Sequence, residues 1–235
     1  MHSAAATPVS IFDLDRTITR TGTWVPWLLF WTTREAPWRF VQFPFLALAG
    51  LTTLIGVLPR ARLKQFGMWL IMQSNVPRLR VDRIAADYAD WVIARNVYGG
   101  ALTQIAADRA EGRRIVIATA SAAFYVRAIA ARLGVNDVVA TEFIWERGTL
   151  QPRLAGANCY GAAKLAQVEA WLAGEGLEGA PIRVYSDHIS DLPLFKRADE
   201  CIATTPSPAL RALAVARGWR VIDWGKASTS LFERA

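Results

Sequence analysis

The sequence predicts an α/β fold, in which helices cover both faces of a parallel sheet and one long helical insertion interrupts the sheet. Three observations support this prediction. Short apolar stretches alternate with helical patterns through the C-terminal half of the chain, as in parallel sheets that are buried on both faces. An isolated strand is predicted near the N-terminus, at residues 9–12. Between residues 17 and 98 helical patterns rich in tryptophan replace the alternation, so the insertion follows the first strand.

Each later element has its own signal. Runs of apolar and β-branched residues predict strands, glycine marks the ends of helices, and Arg147 with Gly148 predicts a hairpin turn. In chain order we predict a helix at 99–111, a strand at 113–120, a helix at 124–134, a strand and hairpin within 137–154, a helix at 162–176, a strand at 182–187, a helix at 191–199, a strand at 200–205, a helix at 208–218 and a strand at 219–224. The predicted core comprises residues 1–20 and 98–235, and the predicted helical cap comprises residues 21–97.

The composition indicates a folded protein. With 235 residues the chain is long enough for a substantial core, and 53% apolar residues argue against disorder. A formal charge of +7 permits several kinds of anionic partner and selects none of them. Two cysteines give no disulfide framework, and the first residues lack the basic and apolar segments of a signal peptide. These features predict a cytoplasmic location.

Two aspartates follow the first predicted strand. Asp13 and Asp15 are separated by one residue, so on an extended backbone both point to the same face. Such a pair would bind a hard cation, and a carboxylate nucleophile with a neighbouring acid would need the same spacing. The alternative is that both aspartates only cap the turn after the strand.

A second pair of aspartates follows a later strand. Asp187 ends that predicted strand, and Asp191 lies four residues further on, one helical turn away. Two carboxylate pairs at one edge of a sheet would repel each other unless a cation lay among them. Alternatively, Asp191 would be an acid that the dipole favours at the start of a helix.

Two further residues suit an anionic ligand. Thr119 closes a predicted strand, where its hydroxyl group and the following amides would meet a phosphoryl oxygen. Ser121 is a candidate N-cap of the next helix. Lys164 lies in the first turn of a predicted helix, where the dipole disfavours a lysine. An anionic partner would explain that position, and so would ordinary solvation.

Four segments together resemble the motifs of the haloacid dehalogenase superfamily in order and spacing. They are DLDRT at 13–17, ATAS at 118–121, Lys164 in GAAKL and SDHISD at 186–191. The resemblance covers roughly two thirds of the chain, and the insertion resembles the helical cap of the phosphoserine-phosphatase-like branch, subfamily IB. It implies a Rossmann-like parallel sheet core with an inserted α-helical cap, and the activity of a phosphoric monoester hydrolase.

The resemblance also implies a role for each residue. Asp13 would be the nucleophile that forms an aspartyl phosphate, and Asp15 would be the acid and base. The implied catalytic residues are Asp13, Asp15, Thr119 and Lys164; the implied substrate-binding residues are Thr17, Thr119, Ala120 and Lys164; and the implied Mg²⁺ site comprises Asp13, Asp15 through its backbone carbonyl, Asp187 and, in support, Asp191.

One position departs from that branch. Phosphoserine phosphatases carry a glutamate nine residues after the nucleophile, which receives the amino group of the substrate, and Gly22 stands there in this sequence. The departure argues against phosphoserine as the substrate.

Within the insertion, residues 40–58 contain no formally charged residue, a length that can span a bilayer. The flanking basic residues are Arg34, Arg39, Arg60, Arg62 and Lys64, and the nearby tryptophans are Trp24, Trp27, Trp31, Trp38 and Trp69. A single crossing would separate Asp13 from the other motifs, so we expect a monotopic helical hairpin within residues 24–72 that contacts one leaflet. The alternative is a soluble cap that packs on the core. In composition the cap also resembles that of bacterial phosphatidylglycerophosphate phosphatases.

These observations predict a Mg²⁺-dependent phosphomonoesterase that acts through an aspartyl phosphate on a lipid phosphate, such as phosphatidylglycerophosphate, at the inner face of the membrane. One alternative is a soluble phosphatase for a small metabolite, such as a sugar, polyol or amino-alcohol phosphate. Another is a non-catalytic binding or regulatory protein. Nucleic acid is not expected as a partner, because the arginines of the cap alternate with longer apolar runs than a nucleic-acid groove uses.

Overall fold

The protein is described here by a computed structural model, which covers residues 7–227. The elements in chain order are β1 (Val9–Phe12), α1 (Trp24–Glu35), α2 (Phe43–Leu54), α3 (Arg60–Ile71), β2 (Val76–Pro77), α4 (Arg78–Arg95), α5 (Gly99–Ala110), β3 (Arg114–Ala122), α6 (Ala123–Arg132), β4 (Asp137–Thr141), β5 (Phe143–Glu146), β6 (Thr149–Leu154), α7 (Ala162–Gly174), β7 (Ile182–Ser186), α8 (Leu192–Arg197), β8 (Glu200–Thr204), α9 (Pro208–Arg217), β9 (Arg220–Ile222) and α10 (Trp224–Ala227). Short 3₁₀ turns cover Pro37–Gln42 and Ile189–Asp191. The predicted core also includes residues 1–6 and 228–235, which lie outside the described residues.

Six strands form one parallel sheet in the order β4-β3-β1-β7-β8-β9. The first strand of the chain lies in the middle, with Phe12 opposite Ile117 of β3 on one side and Tyr185 of β7 on the other. Both neighbours of β1 come from beyond the insertion. The predicted α/β fold with a parallel sheet is therefore confirmed.

Alternate residues of the central strands build two separate cores. Phe12 and Tyr185 stack at a centroid distance of 4.1 Å in the core that lies under α4, α5 and α6. Ile11 and Val184 lie in the opposite core, under α7, α8 and α9. Successive side chains of a strand point to opposite faces, so a strand covered on both faces is largely apolar. The polar exception within β1 is Ser10, whose Oγ accepts a hydrogen bond from Nε of Arg113 at 2.7 Å.

The end of β3 differs from its prediction. The strand runs to Ala122, and its register shifts between Thr119, which pairs with Ala140, and Ala122, which pairs with Thr141. Such a bulge re-aims the side chains around it. Because α6 begins only at Ala123 and has no side-chain cap, the prediction of Ser121 as its N-cap is wrong.

The insertion is joined to the sheet at several points. An isolated bridge pairs Thr19 with Val97, where the chain leaves and returns. Strand β2 of the insertion pairs with β6, which lies later in the chain, in a small antiparallel sheet of order β2-β6-β5. Helix α4 of the insertion packs against α6. The division into a core and a cap at residues 21 and 97 stays a prediction.

Helix α1 is largely a core helix. Trp27 and Trp31, four residues apart, are 0% and 3% exposed. The ring of Trp27 stacks on Tyr125 of α6 at 5.2 Å, and its Nε1 donates a hydrogen bond to Sδ of Met72 at 3.3 Å. The expectation that these two tryptophans lie at a membrane interface is wrong. Membrane contact along the whole of residues 24–72 is therefore excluded, because part of this segment is buried in the core. Their helical spacing places both on the face that packs against the core.

Helix α2 has a different environment. Of its twelve residues only Leu46 is buried, and its exposed apolar side chains include Phe45, Leu48, Leu51 and Leu54. At about 18 Å it is shorter than the hydrocarbon core of a bilayer, which is about 30 Å thick. Within residues 7–227 no helix has both the length and the apolar character needed to cross a membrane.

Candidate active site

Three adjacent strands bring the predicted motifs to one edge of the sheet. Asp13 follows β1, Asp187 follows β7, and Thr119 lies near the end of β3, on the other side of β1. The backbone amide of Asp13 donates a hydrogen bond to the carbonyl oxygen of Tyr185 at 2.9 Å, which extends the sheet by one residue. Ligands of open parallel sheets bind beyond the carboxyl ends of the strands, so this edge is the candidate active site.

Lys164 of α7 joins two of the four predicted aspartates. Its Nζ donates a hydrogen bond to Oδ1 of Asp13 at 2.9 Å and lies 2.8 Å from Oδ1 of Asp191. Asp191 also accepts a hydrogen bond from Oγ of Ser186 at 2.6 Å. Lys164 and Asp191 are 3% and 2% exposed, so solvent screens these ion pairs little. Asp191 therefore binds a lysine rather than capping α8, which has no side-chain cap.

Among the described residues, Lys164 is the one cation that forms ion pairs with any of the four carboxylates of this cluster. Burial raises the pKa of Asp13 to about 8 against the opposing effect of Lys164, and the charges of Asp191, Asp15 and Asp187 raise it further. Burial, followed by the charge of Asp191, raises the pKa of Asp187 to about 6. Each shift means that the charged carboxylate is disfavoured where it lies. One lysine does not balance these carboxylates.

A hard divalent cation fits this imbalance. The carboxylate of Asp187 accepts no hydrogen bond from a side chain in the described part of the chain, and that of Asp13 accepts one, from Lys164, so both residues offer the oxygen donors that Mg²⁺ prefers. Within residues 7–227 no three His, Cys, Asp or Glu side chains are arranged to hold a metal ion. The implied site needs only two side chains and a carbonyl, because Mg²⁺ usually retains several waters.

The carboxylate of Asp15 lies in a network of hydroxyl groups. Its Oδ1 accepts hydrogen bonds from N and Oγ1 of Thr23 at 2.8 and 2.7 Å, and its Oδ2 accepts one from Oγ of Ser121 at 2.7 Å. The hydroxyl group of Tyr88 donates to the carbonyl oxygen of Thr23 at 2.7 Å. In this arrangement the side chains of Asp15 and Asp191 both have hydrogen-bond or ion-pair partners, and their predicted roles, a backbone carbonyl ligand and a supporting residue of the metal site, stay predictions. The backbone carbonyl of Asp15 remains available for that role.

The predicted phosphoryl-binding residues divide into two groups. Thr119 and Ala120 lie at the bulge of β3, where the carbonyl oxygen of Ala120 accepts hydrogen bonds from Oγ1 of Thr141 at 2.6 Å and from Nζ of Lys64. Thr17 is fully buried, and its hydroxyl group has no hydrogen-bond partner among the described residues. A contact between Thr17 and substrate stays a prediction.

Lys64 is a site residue that the sequence analysis assigned only to the basic flank of an apolar run. From α3 its Nζ reaches Ala120 and donates a hydrogen bond to Oδ1 of Asn158 at 2.5 Å. Burial lowers the pKa of Lys64 to about 8, the charge of Asp15 opposes this shift, and the charge of Arg60 adds to it. The spacing of four residues between Arg60 and Lys64 is the signal that would have placed both on one helix face. Thr23, eight residues from Asp15, carries no comparable signal.

The charge imbalance predicts how Mg²⁺ changes stability. The pKa values of Asp13 and Asp187 are raised in the folded state, so their stabilising contribution is present below about pH 4 and is lost as the pH rises towards about 8. Mg²⁺ selects the charged carboxylates. We expect it to raise the Tm of the metal-free protein more at about pH 8 than at about pH 5. Thermal unfolding with EDTA or Mg²⁺ measures this difference, and Asp187→Asn should reduce it; an equal Tm increase at both pH values would contradict the prediction.

Comparisons with known proteins agree with this architecture. A family model described as haloacid dehalogenase-like hydrolase matches residues 11–196. The crystal structure of a protein of unknown function from Bordetella pertussis Tohama I is 27% identical, has a TM-score of 0.83 and covers 94% of this chain and 100% of its own. A substrate-bound phosphoserine phosphatase complex, 18% identical with a TM-score of 0.63, covers 93% of this chain and 94% of its own and shows the shared fold alone.

Curated relatives match a shorter region. A probable phosphatase of Mycobacterium tuberculosis (strain ATCC 25618 / H37Rv) is 32% identical over 135 residues, which are 57% of this chain and 47% of that protein. The chain spans about half the length of the curated relatives it matches.

The fold and the site define an α/β enzyme whose carboxylate-rich centre lies at the carboxyl edge of a parallel sheet. The chain belongs to the haloacid dehalogenase-like hydrolase family, whose model matches it from β1 into α8. The prediction that the chain belongs to this family is confirmed.

Proposed function

We propose that the protein is a Mg²⁺-dependent phosphomonoesterase that acts through an aspartyl phosphate. The observation that carries this proposal is the contrast between two carboxylates in one loop: Asp13 is bound by the ammonium group of Lys164, whereas Asp15 is bound by the hydroxyl groups of Thr23 and Ser121. Different environments are how proteins give two neighbouring carboxylates different roles in acid–base chemistry.

The reaction would use the two carboxylates in turn. Oδ2 of Asp13 attacks phosphorus, the bond from phosphorus to the leaving oxygen breaks, and Asp15 donates its proton to that oxygen. Asp15, now charged, then takes a proton from a water molecule, whose oxygen attacks the aspartyl phosphate and releases phosphate and free Asp13. Lys164 keeps Oδ1 of Asp13 occupied, so Oδ2 is the attacking atom. Mg²⁺ held by Asp13, Asp187 and the carbonyl of Asp15 would supply neutralising charge for the phosphoryl group.

Thr23 is expected to position the general acid. Thr23→Val removes one of the three hydrogen bonds to Asp15 and leaves the other two. We expect kcat/KM to fall about ten-fold for an alkyl phosphate, whose leaving oxygen needs a proton, and much less for p-nitrophenyl phosphate. Thr33→Val, at an exposed position of the same helix, is the control. Equal losses with both esters would argue against an acid-positioning role.

The proposed substrate is a lipid phosphate such as phosphatidylglycerophosphate, met at the inner face of the membrane. Support comes from a surface that we call the apolar face. Its members are Trp38, Phe40, Val41, Phe45, Leu48, Leu51, Leu54, Ile55 and Val57, each at least 43% exposed. Monomeric soluble proteins rarely expose so many large apolar side chains along one segment, and bilayer contact would remove them from water.

Charge favours a bilayer as the occupant of this face. Arg60 and Arg62 are exposed just beyond the apolar face, and neither has an ion-pair partner among the described residues. Exposed Trp38 and Trp69 lie near its two ends in the sequence. Basic residues beside tryptophan and an apolar surface are typical of helices that lie in the interface of an anionic membrane.

The decisive measurement is Mg²⁺-dependent phosphate release from phosphatidylglycerophosphate in mixed micelles, beside soluble phosphomonoesters at matched concentration. We expect a strong preference for the lipid. Turnover of soluble esters alone would support the alternative, a phosphatase for small metabolites. Gly22 supplies no carboxylate for the amino group of phosphoserine, so we expect little turnover of that ester. Release of phosphate from no ester at all would contradict the proposed activity.

The apolar face gives a separate prediction about membrane binding. The double variant Leu48→Asp and Leu51→Asp should weaken binding to anionic vesicles by about ten-fold or more, because charged side chains replace exposed apolar ones. Co-sedimentation with vesicles measures the change. Val215→Asp, an exposed position on α9 beside β8 and β9, is the matched control. Unchanged binding of the double variant would exclude the apolar face as the membrane contact.

A further inference from the structure

Three cationic side chains lie around the site and form no ion pair with a carboxylate among the described residues. They are Arg16, Arg60 and Lys64, which we call the cationic rim. None has an ion-pair partner within residues 7–227, whereas the buried Lys164 pairs with Asp13 and Asp191. Arg16 and Arg60 are exposed, but Lys64 is half-buried. A cation that is partly removed from water normally has an anionic partner, so the missing ion pair of Lys64 is informative.

Lys64 is the most constrained member of the rim. Its ammonium group contacts only neutral oxygens, on Ala120 and Asn158, and Asn158 is held in turn by Oγ1 of Thr141 at 3.1 Å. Ala120 directly follows Thr119 at the bulge of β3. A ligand bound at the carboxyl edge would therefore lie beside a lysine that forms no ion pair with a carboxylate in the described part of the chain.

Arg60 and Arg16 extend the positive charge around the site. Arg60 lies one helical turn before Lys64, with its guanidinium group 4.8 Å from the centroid of the Tyr160 ring. Arg16 is exposed in the loop between the two catalytic aspartates and α1, and its φ of +63° is the left-handed conformation that few non-glycine residues adopt.

We propose that the cationic rim binds a second anionic group of the substrate, a phosphodiester carried by the leaving group. This inference rests on the proposed phosphomonoesterase and narrows its substrate class. Guanidinium and ammonium groups are the side chains that bind phosphate oxygens most strongly, and Arg60 binds them in fork geometry. If the leaving group were a neutral polyol, all three cations would remain without an anionic partner. A phosphodiester separated from the reacting phosphate by one glycerol unit would give them an anionic partner.

Soluble esters test the second anion without any membrane. Glycerophosphoglycerophosphate, the deacylated headgroup, carries the phosphodiester, whereas glycerol phosphate has a neutral leaving group. We expect the wild-type protein to prefer the first ester in kcat/KM by about ten-fold or more. Lys64→Gln should lower this preference about ten-fold, and exposed Arg60→Gln about three-fold. Arg95→Gln, at an exposed position in the last turn of α4 and without an ion-pair partner among the described residues, is the matched control and should leave it unchanged. A sugar bisphosphate is the third probe. Its kcat/KM shows whether the cationic rim prefers a phosphodiester or a second terminal phosphate.

Two results would overturn the inference. One is a wild-type protein that turns over both esters equally. The other is a Lys64→Gln variant that loses activity on both to the same extent, because that pattern indicates a structural link between α3 and the core. Calorimetric binding of both esters to the Asp13→Asn variant, with and without Lys64→Gln, supplies a readout that needs no turnover. If neither ester is hydrolysed, the proposed function fails, and this binding measurement still decides whether the rim prefers the phosphodiester.

Discussion

Asp13→Asn is expected to abolish phosphate release, lowering kcat by about a thousand-fold or more, because an amide cannot serve as the nucleophile. The fold should persist. Asn keeps the shape of the side chain, and Lys164 retains its ion pair with Asp191. Since burial and neighbouring carboxylates raise the pKa of Asp13 to about 8, replacing it with a neutral amide should even increase stability at neutral pH in the absence of metal.

Phosphate release under saturating substrate measures the first effect, and urea unfolding in EDTA measures the second. Asp82→Asn, an exposed aspartate on α4, is the matched control for activity and stability. Appreciable turnover by Asp13→Asn would show that another group is the nucleophile. Destabilisation at neutral pH would show that the Asp13 carboxylate is a net stabilising partner of Lys164.

Lys164→Met should damage both activity and stability. The variant leaves Asp13 and Asp191 buried without their common cation. Breaking a buried ion pair by removing one partner typically costs about 3–5 kcal/mol. Because the pKa of Asp13 is raised to about 8, the loss should grow as the pH rises towards about 8 and Asp13 becomes charged. Activity should fall about a hundred- to thousand-fold, because a donor for the phosphoryl charge is lost.

Lys164→Arg separates the two effects, since it restores a cation but not the geometry of the ammonium group, and should recover stability more than activity. Lys196→Met, on the exposed side of α8, is the control. If Lys164→Met were as stable as the wild type at about pH 8, Lys164 would not be a stabilising partner of Asp13 and Asp191, contrary to the arrangement described here.

Local sequence determined the elements of the sheet. Apolar runs bounded by glycine and aspartate predicted β1, β3, β7 and β8 to within two residues, because strands buried on both faces must be largely apolar. Asp13 and Asp187 were also predictable, since the carboxyl ends of parallel strands meet at one edge. Lys164 was marked by a helix position that the dipole disfavours, and the structure brings it to Asp13 as expected.

Other features depended on contacts between distant segments. Thr23 and Ser121 meet at Asp15 although 98 residues separate them, and the bulge in β3 that turns Ser121 towards Asp15 has no local signature. The tryptophans of the insertion look alike in sequence, yet Trp27 is buried against Tyr125 and Trp38 is 69% exposed. Whether a tryptophan is buried or exposed depends on the residues that pack against it, and the local sequence pattern does not identify those residues.

By itself, then, the sequence determined the α/β class and which strands carry the candidate site residues at their ends. It also determined the aspartates and the lysine at the centre of the site. Local periodicity predicts the strands, and the carboxyl ends of the strands place these residues at one edge of the sheet. Only the tertiary structure decided which insertion residues belong to the core, which remain on the apolar face, and that Lys64 reaches the edge of the sheet. The physical reason is that burial and electrostatic partnership arise between segments far apart in the chain, and their free energies depend on distances that exist only in the folded protein.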